Sequence, residues 1–380
     1  MRSGTKRRIG ALITGWGLVA ALSIPPATGA VPAAGSPTRG GDKLRHALDA
    51  VVGAGATAAL VRVDSDGAHR ALAAGIADHV GNTPMRPHAT FRIGSTTKTF
   101  IATVVLQLVD EGRIGLDTPI EHHLPGVVPG GAGITVRQIL RHQAGIHDYV
   151  YALDIGSENW YLRGRWQTWT AKDKVAAGVR QPPYFEPGTG YRYSNTDYIL
   201  AGMLIEKVTG RTYADEVTAR VLRPLGMTHT TFPGTSATIP GPHAHAYAEL
   251  VPQPIDVTEF NASQAGASGE ILSTGRDLTR FIRALATGRL LRPAQLREMT
   301  DTIDTGAPYR YGLGLESEVL PCGKSVWGHP GGAPGFMTEL WTTEDGRRSV
   351  AVSYNPLGLK PDDAQRRAVE AVLAAALCGP

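Results

Sequence analysis

Strand-like segments lie at both ends of this 380-residue chain, and helix-like segments fill the region between them. The first two strand-like runs, 57–63 and 68–77, are joined by Ser65-Asp66-Gly67, which is typical of a hairpin turn. Four more runs occupy the C-terminal part, at 311–316, 325–329, 335–342 and 349–354. Because strands near both termini need hydrogen-bonding partners, this distribution predicts one antiparallel sheet to which both ends of the chain contribute.

The middle of the chain carries apolar residues at helical spacing. The predicted helices cover 99–111, 136–142, 198–209, 213–221 and 276–286, with terminal helices at 43–52, capped by Asp42, and 363–377. We therefore expect an α+β fold in two parts. Residues 42–114 and 298–380 form the sheet domain with flanking helices, and residues 115–297 form a large, mostly helical inserted domain.

The first thirty residues predict a secretory signal peptide. Basic residues at 2, 6, 7 and 8 precede an apolar stretch, and small residues offer a cleavage site after Ala30. Residues 31–41 are rich in Pro, Gly, Ala and Ser and predict a flexible lead-in. An uncleaved N-terminal anchor is the alternative. We expect a secreted mature chain without a membrane span.

The balance of charge gives no support to a nucleic-acid partner. The chain holds 38 lysines and arginines against 34 aspartates and glutamates. Four of the basic residues lie in the predicted signal peptide, so the mature chain is formally neutral.

The chain has two cysteines, Cys322 and Cys378. In an exported protein, two cysteines favour one disulfide. This bond would close a loop of 56 residues, and the chain-entropy model gives roughly 4 kcal/mol for it. Two free thiols in the core are the alternative.

Ser95-Thr96-Thr97-Lys98 stands at the start of the apolar helix predicted at 99–111. Residues three apart share one helical face, so Lys98 can reach the Ser95 hydroxyl. A hydroxyl is a weak nucleophile at neutral pH, and a neighbouring amine that accepts its proton activates it. The pattern predicts covalent catalysis by Ser95. The alternative is that Ser95 is a helix N-cap and Lys98 a solvated charge.

Two other polar triplets follow in a supporting order. Tyr193-Ser194-Asn195 lies in the loop before the helix predicted at 198–209, and His329-Pro330-Gly331 lies at the end of a predicted strand. Each triplet is common on its own. Their occurrence together on a helix start, an inter-helix loop and a sheet strand favours one shared site.

These motifs and their surroundings resemble the penicillin-recognising serine hydrolases, which include class C β-lactamases, D-alanyl-D-alanine carboxypeptidases and related esterases and D-peptidases. The likeness is strongest to secreted actinobacterial D-alanyl-D-alanine carboxypeptidases, some of which also carry a cysteine shortly before the histidine triplet and another near the C-terminus. The resemblance implies a β-lactamase/transpeptidase-like fold. The matching segments are F-R-I-G-S-T-T-K at 91–98, L-V-D-E-G at 108–112, I-T-V-R-Q-I-L-R-H-Q-A-G-I at 134–146, Y-S-N-T-D-Y at 193–198, A-G-M-L-I-E-K-V-T-G at 201–210 and G-H-P-G-G-A-P-G-F at 328–336.

The resemblance gives each motif residue a catalytic role. It implies that Ser95 forms an acyl-enzyme, that Lys98 helps to deprotonate it, and that Tyr193 passes the proton to the leaving group. It also implies that Asn195 orients the site by hydrogen bonding. His329 would add a positive field or a proton relay.

Backbone groups and pocket residues complete the predicted site. The resemblance implies an oxyanion hole formed by the backbone N–H groups of Ser95 and Gly332, an interaction often worth about 3–4 kcal/mol. The candidates for substrate binding are Tyr149, Gly331, Gly332 and Glu316. Tyr149 stands near an aromatic run in the inserted region that either lines the cleft or packs in the core.

Two positions depart from the carboxypeptidase pattern. Related carboxypeptidases hold the terminal carboxylate of the substrate with an arginine after the Y-G-L-G-L strand and a threonine after the histidine triplet. Here those positions are Glu316 and Gly332. A carboxylate facing a buried carboxylate is unfavourable, unless Glu316 points into solvent. The departure disfavours a carboxypeptidase and favours an esterase, amidase or aminopeptidase.

The leading hypothesis remains a secreted serine hydrolase, D-alanyl-D-alanine carboxypeptidase-like, that acts on cell-wall peptide and binds penicillin. A secreted esterase or class C-type β-lactamase is the alternative enzyme, and a non-catalytic binder of cell-wall fragments is the alternative outside enzymes. The expected partners are peptide, ester or β-lactam substrates. We expect no cofactor and no metal, because the His-x-His pair at 243–245 lacks a third ligand.

Overall fold

The computed structural model of the protein describes residues 39–65, 67–249 and 254–378. The predicted signal peptide and the lead-in up to residue 38 lie outside the described residues. Within the described ranges, no helix is both long enough and apolar enough to cross a membrane.

A ten-stranded antiparallel sheet forms the centre of the described structure. Its order is β3 (Thr83–Pro84), β2 (Ala68–Asp78), β1 (Ala56–Ser65), β14 (Arg348–Pro356), β13 (Phe336–Thr343), β11 (Ser325–Gly328), β10 (Glu316–Val319), β9 (Arg310–Tyr311) and β8 (Ile303–Asp304), with β12 (Gly331–Ala333) beside β13. Strand β1 pairs with β14, from Ala58 opposite Asn355 to Ser65 opposite Arg348. The predicted sheet built from both ends of the chain is therefore confirmed.

Short strands and eleven described helices surround this sheet. The short pairs are β4 (Phe91–Arg92) with β7 (Leu272–Ser273), and β5 (Tyr247–Ala248) with β6 (Ile255–Asp256). The helices are α1 (Arg39–Gly53), α2 (Thr97–Asp110), α3 (Val136–Leu140), α4 (Glu158–Leu162), α5 (Ala171–Val179), α6 (Asn195–Thr209), α7 (Tyr213–Val217), α8 (Arg223–Leu225), α9 (Gly275–Ala286), α10 (Pro293–Thr300) and α11 (Asp363–Leu377).

The sheet separates two hydrophobic cores. Alternate residues of β1 point to opposite faces, so Leu60 joins the core that contains α2, whereas Val61 joins the core under α1 and α11. Helix α9 packs on the same face as α2, against β1, β13 and β14. This arrangement places the start of α2 beside strands β12 and β13, where the catalytic motif lies.

The prediction of one continuous strand at 311–316 is wrong, because the segment forms the turn of a hairpin. Strand β9 ends at Tyr311, and β10 begins at Glu316. Gly314 has a left-handed φ of 71°, which turns the chain back, and the Gly312 N–H donates to the Leu315 carbonyl. The turn makes Tyr311 and Glu316 cross-strand neighbours.

Several predicted helices differ at their ends. The helix predicted at 198–209 begins at Asn195, so Asn195 belongs to α6 and not to the loop before it. Helix α1 begins at Arg39, so Asp42 lies in its first turn and does not cap it. Helix α3 ends at Leu140, because His142 takes a left-handed φ of 57°. The helix predicted at 213–221 continues beyond α7 as a π-helical segment, Thr218–Leu222.

Cys322 and Cys378 are joined in the structure, with Cα atoms 6.0 Å apart. The bond ties the turn between β10 and β11 to the end of α11. It therefore joins β10 and β11, the strands that precede His329, to the helix that packs with α1 over the second core.

Candidate active site

Ser95 lies in a short 3₁₀ turn, Gly94–Thr96, that leads directly into α2. Gly94 has a φ of 51°, and a Cβ at this position would lie 2.4 Å from the Gly332 carbonyl oxygen. Only glycine permits both the backbone conformation and this close approach. Gly94 therefore brings the backbone of β12 next to the nucleophile.

Lys98 is completely buried, and its Nζ atom points at the nucleophile. Nζ lies 3.0 Å from Ser95 Oγ, 2.7 Å from Asn195 Oδ1 and 2.8 Å from the Ser268 carbonyl oxygen. Burial lowers the pKa of Lys98 to about 7, against the attraction of nearby carboxylates. A substantial part of this amine is therefore neutral at physiological pH and can accept the Ser95 proton. The alternative of a solvated lysine and an N-cap serine is wrong.

Tyr193 stands on the other side of the serine. Burial raises the pKa of Tyr193 well above its usual value, against an opposing contribution from the nearby Ser95 side chain. Lys98 Nζ lies 4.9 Å from the centre of the tyrosine ring. The tyrosine therefore stays protonated and can give its proton to a departing atom, and the nearby Lys98 ammonium can replace that proton.

Asn195 and Asp148 hold the lysine in place. Asn195 is the first residue of α6, and its amide nitrogen donates to Asp148 Oδ2 at 2.8 Å. Burial raises the pKa of Asp148. Asp148 was not predicted as a site residue, although it lies beside Tyr149 and two residues after the matched segment 134–146. The Ser268 carbonyl was also missed, because a backbone acceptor leaves no mark in the sequence.

His329 is neutral, which corrects the positive field and the proton relay expected from it. Its Nδ1 lies 2.6 Å from the Pro330 carbonyl oxygen, and its Nε2 lies 3.0 Å from the Tyr311 hydroxyl. Burial and the nearby Lys98 lower the pKa of His329 to about 3. Both ring nitrogens are engaged away from Ser95, so the histidine is not a proton carrier for the serine.

Glu316 is buried, so the alternative that it points into solvent is wrong. Burial, reinforced by Glu318 and Glu339, raises the pKa of Glu316 well above its usual value. Its Oε1 lies 3.7 Å from His329 Nε2. Glu316 is not among the described residues that line the cavity beside Ser95. The predicted direct substrate contact is therefore wrong, and Glu316 lies behind His329.

The cavity beside Ser95 has a volume of about 140 Å³ and uncharged walls. Its lining residues are Ser95, Tyr149, Val150, Leu153, Ile155, Asn195, Phe260, Gln264, Ala265, Ser268, Gly269, Gly332, Ala333 and Pro334. Tyr149 presents its ring, because its hydroxyl donates to the Gln264 carbonyl at 2.6 Å. No charged residue in the described part of the chain lines this cavity. Apolar or aromatic groups of a substrate fit such walls.

The two glycines predicted in the site, Gly331 and Gly332, are neighbours in β12, but only one of them faces the cavity. Gly332 is exposed and lines the cavity, as an oxyanion-hole residue must. Gly331 is buried, and a Cβ there would lie 1.9 Å from the Ile93 carbonyl oxygen. Gly331 therefore permits the strand to pack against the turn that carries Ser95 and does not reach the cavity.

Comparisons with known proteins agree with this geometry. A family model described as Beta-lactamase matches residues 44–375. The chain belongs to the beta-lactamase family. Members of this family are serine hydrolases. The cluster of Ser95, Lys98 and Tyr193 supplies a nucleophile, a base and a proton donor for such hydrolysis. The family predicted from the sequence is confirmed.

Two curated relatives are penicillin-binding proteins. Penicillin-binding protein 4* of Bacillus subtilis (strain 168) is 26% identical over 299 residues, which cover 74% of this chain and 64% of that protein. Penicillin-binding protein 4 of Amycolatopsis lactamdurans is 30% identical over 232 residues, which cover 59% of this chain and 58% of that protein. The chain spans less than two thirds of the length of these relatives.

Two similar solved structures are named as an amidohydrolase and an amidase. A D-stereospecific amidohydrolase from a Streptomyces species is 39% identical, with a TM-score of 0.82, and the match covers 89% of this chain and 99% of that chain. A D-amino acid amidase from Ochrobactrum anthropi SV3, complexed with L-phenylalanine, is 31% identical, with a TM-score of 0.79 and coverage of 89% and 98%.

Proposed function

We propose that this serine hydrolase cleaves amide bonds of D-amino acid derivatives whose side chains are apolar or aromatic. The observation that carries the proposal is the cavity beside Ser95, which has uncharged walls where a carboxypeptidase needs a cation for the terminal carboxylate. The names of the two similar solved structures, a D-stereospecific amidohydrolase and a D-amino acid amidase, support the D configuration and the amide bond.

The reaction follows from the contacts of Ser95. The neutral Lys98 amine takes the hydroxyl proton, and Oγ attacks the carbonyl carbon of the scissile amide. The backbone N–H groups of Ser95 and Gly332 stabilise the oxyanion. Tyr193 gives its proton to the departing amine, and the Lys98 ammonium returns to Tyr193 the proton that it took from Ser95. Water then attacks the acyl-enzyme and releases the acid.

The apolar wall provides the binding energy for the acyl side chain. Val150, Leu153, Ile155 and Phe260 surround the space next to Ser95. Burying an aromatic or large aliphatic side chain against such a wall contributes about 1.5–3 kcal/mol. We therefore expect D-phenylalanine and D-leucine derivatives to be better substrates than D-alanine derivatives.

Hydrolysis of matched substrates tests this specificity. D-phenylalanine amide, L-phenylalanine amide and an N-acylated peptide ending in D-Ala-D-Ala should be compared, with Ser95→Ala as the control. We expect kcat/KM for the D-amide to exceed that of both others by at least about tenfold, the equivalent of roughly 1.4 kcal/mol. Faster cleavage of the peptide with the free carboxylate would instead support the carboxypeptidase.

We also propose that the enzyme acts outside the cytoplasm. The basic, apolar and small-residue regions of the first thirty residues support this location. Expression of the full chain in a secreting bacterium, followed by N-terminal sequencing of the protein in the medium, tests it. A mature chain that begins at Val31 is expected. A protein that stays in the cell with residues 1–30 intact would contradict the proposal.

A further inference from the structure

A series of buried hydrogen bonds connects the start of α6 to strand β12. Asp197 Oδ2 lies 3.0 Å from His142 Nδ1, and His142 Nε2 lies 3.1 Å from the Tyr311 hydroxyl. The same hydroxyl lies 3.0 Å from His329 Nε2, and His329 Nδ1 lies 2.6 Å from the Pro330 carbonyl oxygen. The four side chains are at most 1% exposed. The sequence motifs predicted no role for His142 or Tyr311.

The Pro330 end of this series fixes the direction of the hydrogen bonds. A carbonyl oxygen only accepts, so His329 Nδ1 carries the proton between them. Because burial and Lys98 lower the pKa of His329 to about 3, its ring is neutral and Nε2 holds a lone pair. The Tyr311 hydroxyl must then donate to His329 Nε2. Its oxygen is left to accept a hydrogen bond from His142.

The Asp197 end gives the same direction independently. The backbone N–H of Ser194 donates to His142 Nδ1 at 3.3 Å, which requires a lone pair on that nitrogen. Burial lowers the pKa of His142 and raises the pKa of Asp197, so the carboxyl keeps its proton and shares the single Nδ1 lone pair with the Ser194 N–H. The proton of the neutral His142 ring therefore lies on Nε2, which faces Tyr311.

We propose that Tyr311 is a positioning residue for acyl transfer, because its hydroxyl holds His329 in the neutral Nδ1–H tautomer that binds the Pro330 carbonyl. This hydrogen bond fixes the peptide that begins β12, two residues before the Gly332 N–H. His142 orients the Tyr311 hydroxyl. The inference rests on the serine chemistry of the family and is independent of the proposed D-amide specificity.

The arrangement that this inference excludes is a cationic His329. That ring would carry a proton on Nε2 as well, and it would donate to Tyr311 or to Glu316. The ionisable groups that face His329 are Lys98 on α2, Tyr193 before α6, Tyr311 on β9 and Glu316 on β10. Lys98 disfavours the cation, and the buried, protonated Glu316 offers no compensating charge.

Nitrogen NMR of ¹⁵N-histidine-labelled enzyme tests the tautomer directly. His329→Gln assigns the His329 signals by their loss. We expect the neutral Nδ1–H tautomer at about pH 7.5 and also at about pH 5.5, where an ordinary histidine is largely protonated. An imidazolium, or an Nε2–H tautomer, at the higher pH would overturn the proposal. This measurement uses the wild-type protein, so it does not depend on the folding of a tyrosine variant.

Kinetics of Tyr311→Phe test the positioning role. A p-nitrophenyl ester serves as the substrate, so that failure of the D-amide proposal does not affect the readout. We expect kcat to fall about tenfold with KM nearly unchanged, because a displaced oxyanion donor weakens only the transition state. Tyr309→Phe is the matched control, since the Tyr309 hydroxyl contacts Tyr191. Equal kcat values for the two variants, or a change confined to thermal stability, would contradict the role of Tyr311.

Discussion

Helices α2 and α6 frame one half of the active site, and strands β9 to β12 frame the other. The helical half contains Ser95, Lys98 and Asn195, with Tyr193 just before α6, and its polar atoms converge on the nucleophile. The strand half contains His329 and Glu316, whose side chains are buried and neutral. The side chains that carry out the serine hydrolase reaction therefore lie in the helical half. The strand side supplies backbone donors and an uncharged surface, which bears on the choice of substrate.

The largest expected effect tests the helical half alone. Lys98→Met removes the amine that takes the Ser95 proton, so we expect kcat to fall by about 10³-fold or more, as for other members of nucleophile–base pairs. Lys172→Met, on the exposed surface of α5, is the matched control. The measurement is single-turnover acylation by the p-nitrophenyl ester. A loss of less than about tenfold would show that another base acts in this half.

The second prediction converts the strand half toward a carboxypeptidase. Glu316→Arg with Gly332→Thr introduces the cation and the hydroxyl that the resemblance gives to carboxypeptidases, and the longer arginine side chain must extend past His329 to reach the cavity. A Cβ on Gly332 would meet only the Met337 side chain, at 3.6 Å, so the threonine fits. We expect turnover of peptides ending in D-Ala-D-Ala to rise about tenfold relative to D-phenylalanine amide.

Circular dichroism of the double variant shows whether it has folded. A folded double variant without any gain on the peptide would show that charge in the strand half does not select against terminal carboxylates. The single variant Gly332→Thr serves as the control for the effect of bulk alone.

The third prediction concerns pH and the helical half. Because the neutral Lys98 amine is the base, kcat/KM for an uncharged ester should rise with pH and level off above about 7, the pKa of Lys98. Asp148 favours the charged amine, so Asp148→Asn should lower the pKa of Lys98 and move the acidic limb to lower pH. Asp154→Asn, an exposed position on the same segment, should leave the limb in place. A shift of the acidic limb to higher pH in Asp148→Asn would contradict the assignment of neutral Lys98 as the base.

The smallest expected effect comes from Glu316→Gln. A protonated carboxyl and an amide have similar shape, so we expect kcat/KM for D-phenylalanine amide to change less than about twofold. The wild-type and variant rates should be compared at neutral pH, with Glu318→Gln as the control on the same strand. A large change specific to Glu316→Gln would mean that this carboxyl is ionised, and the two halves would then differ less than the structure indicates.

Sequence patterns predicted elements whose contacts are local or strongly periodic. The β1–β2 strands, helices α2 and α11, and the catalytic Ser95–Lys98 pair lie within about two residues of their predicted positions, whereas α6 begins three residues early and includes Asn195. The segment 311–316 failed because alternating apolar residues hide a reversal at Gly314. Asp148 and Tyr311 were missed because their importance depends on partners that are distant in the sequence.

The sequence by itself determined the family, the nucleophile and its base, because three residues of helix bring Lys98 to Ser95 whatever the rest of the chain does. Tertiary structure decided which of the buried groups carry charge. The pKa values of Lys98, His329 and Glu316 differ from those of the same side chains in water, because the surrounding fold removes water from them. Burial lowers the pKa of Lys98 and His329 and raises the pKa of Glu316. Desolvation depends on every element packed around a residue. That is why the strand half became neutral although the sequence predicted a charged histidine and a possible exposed carboxylate.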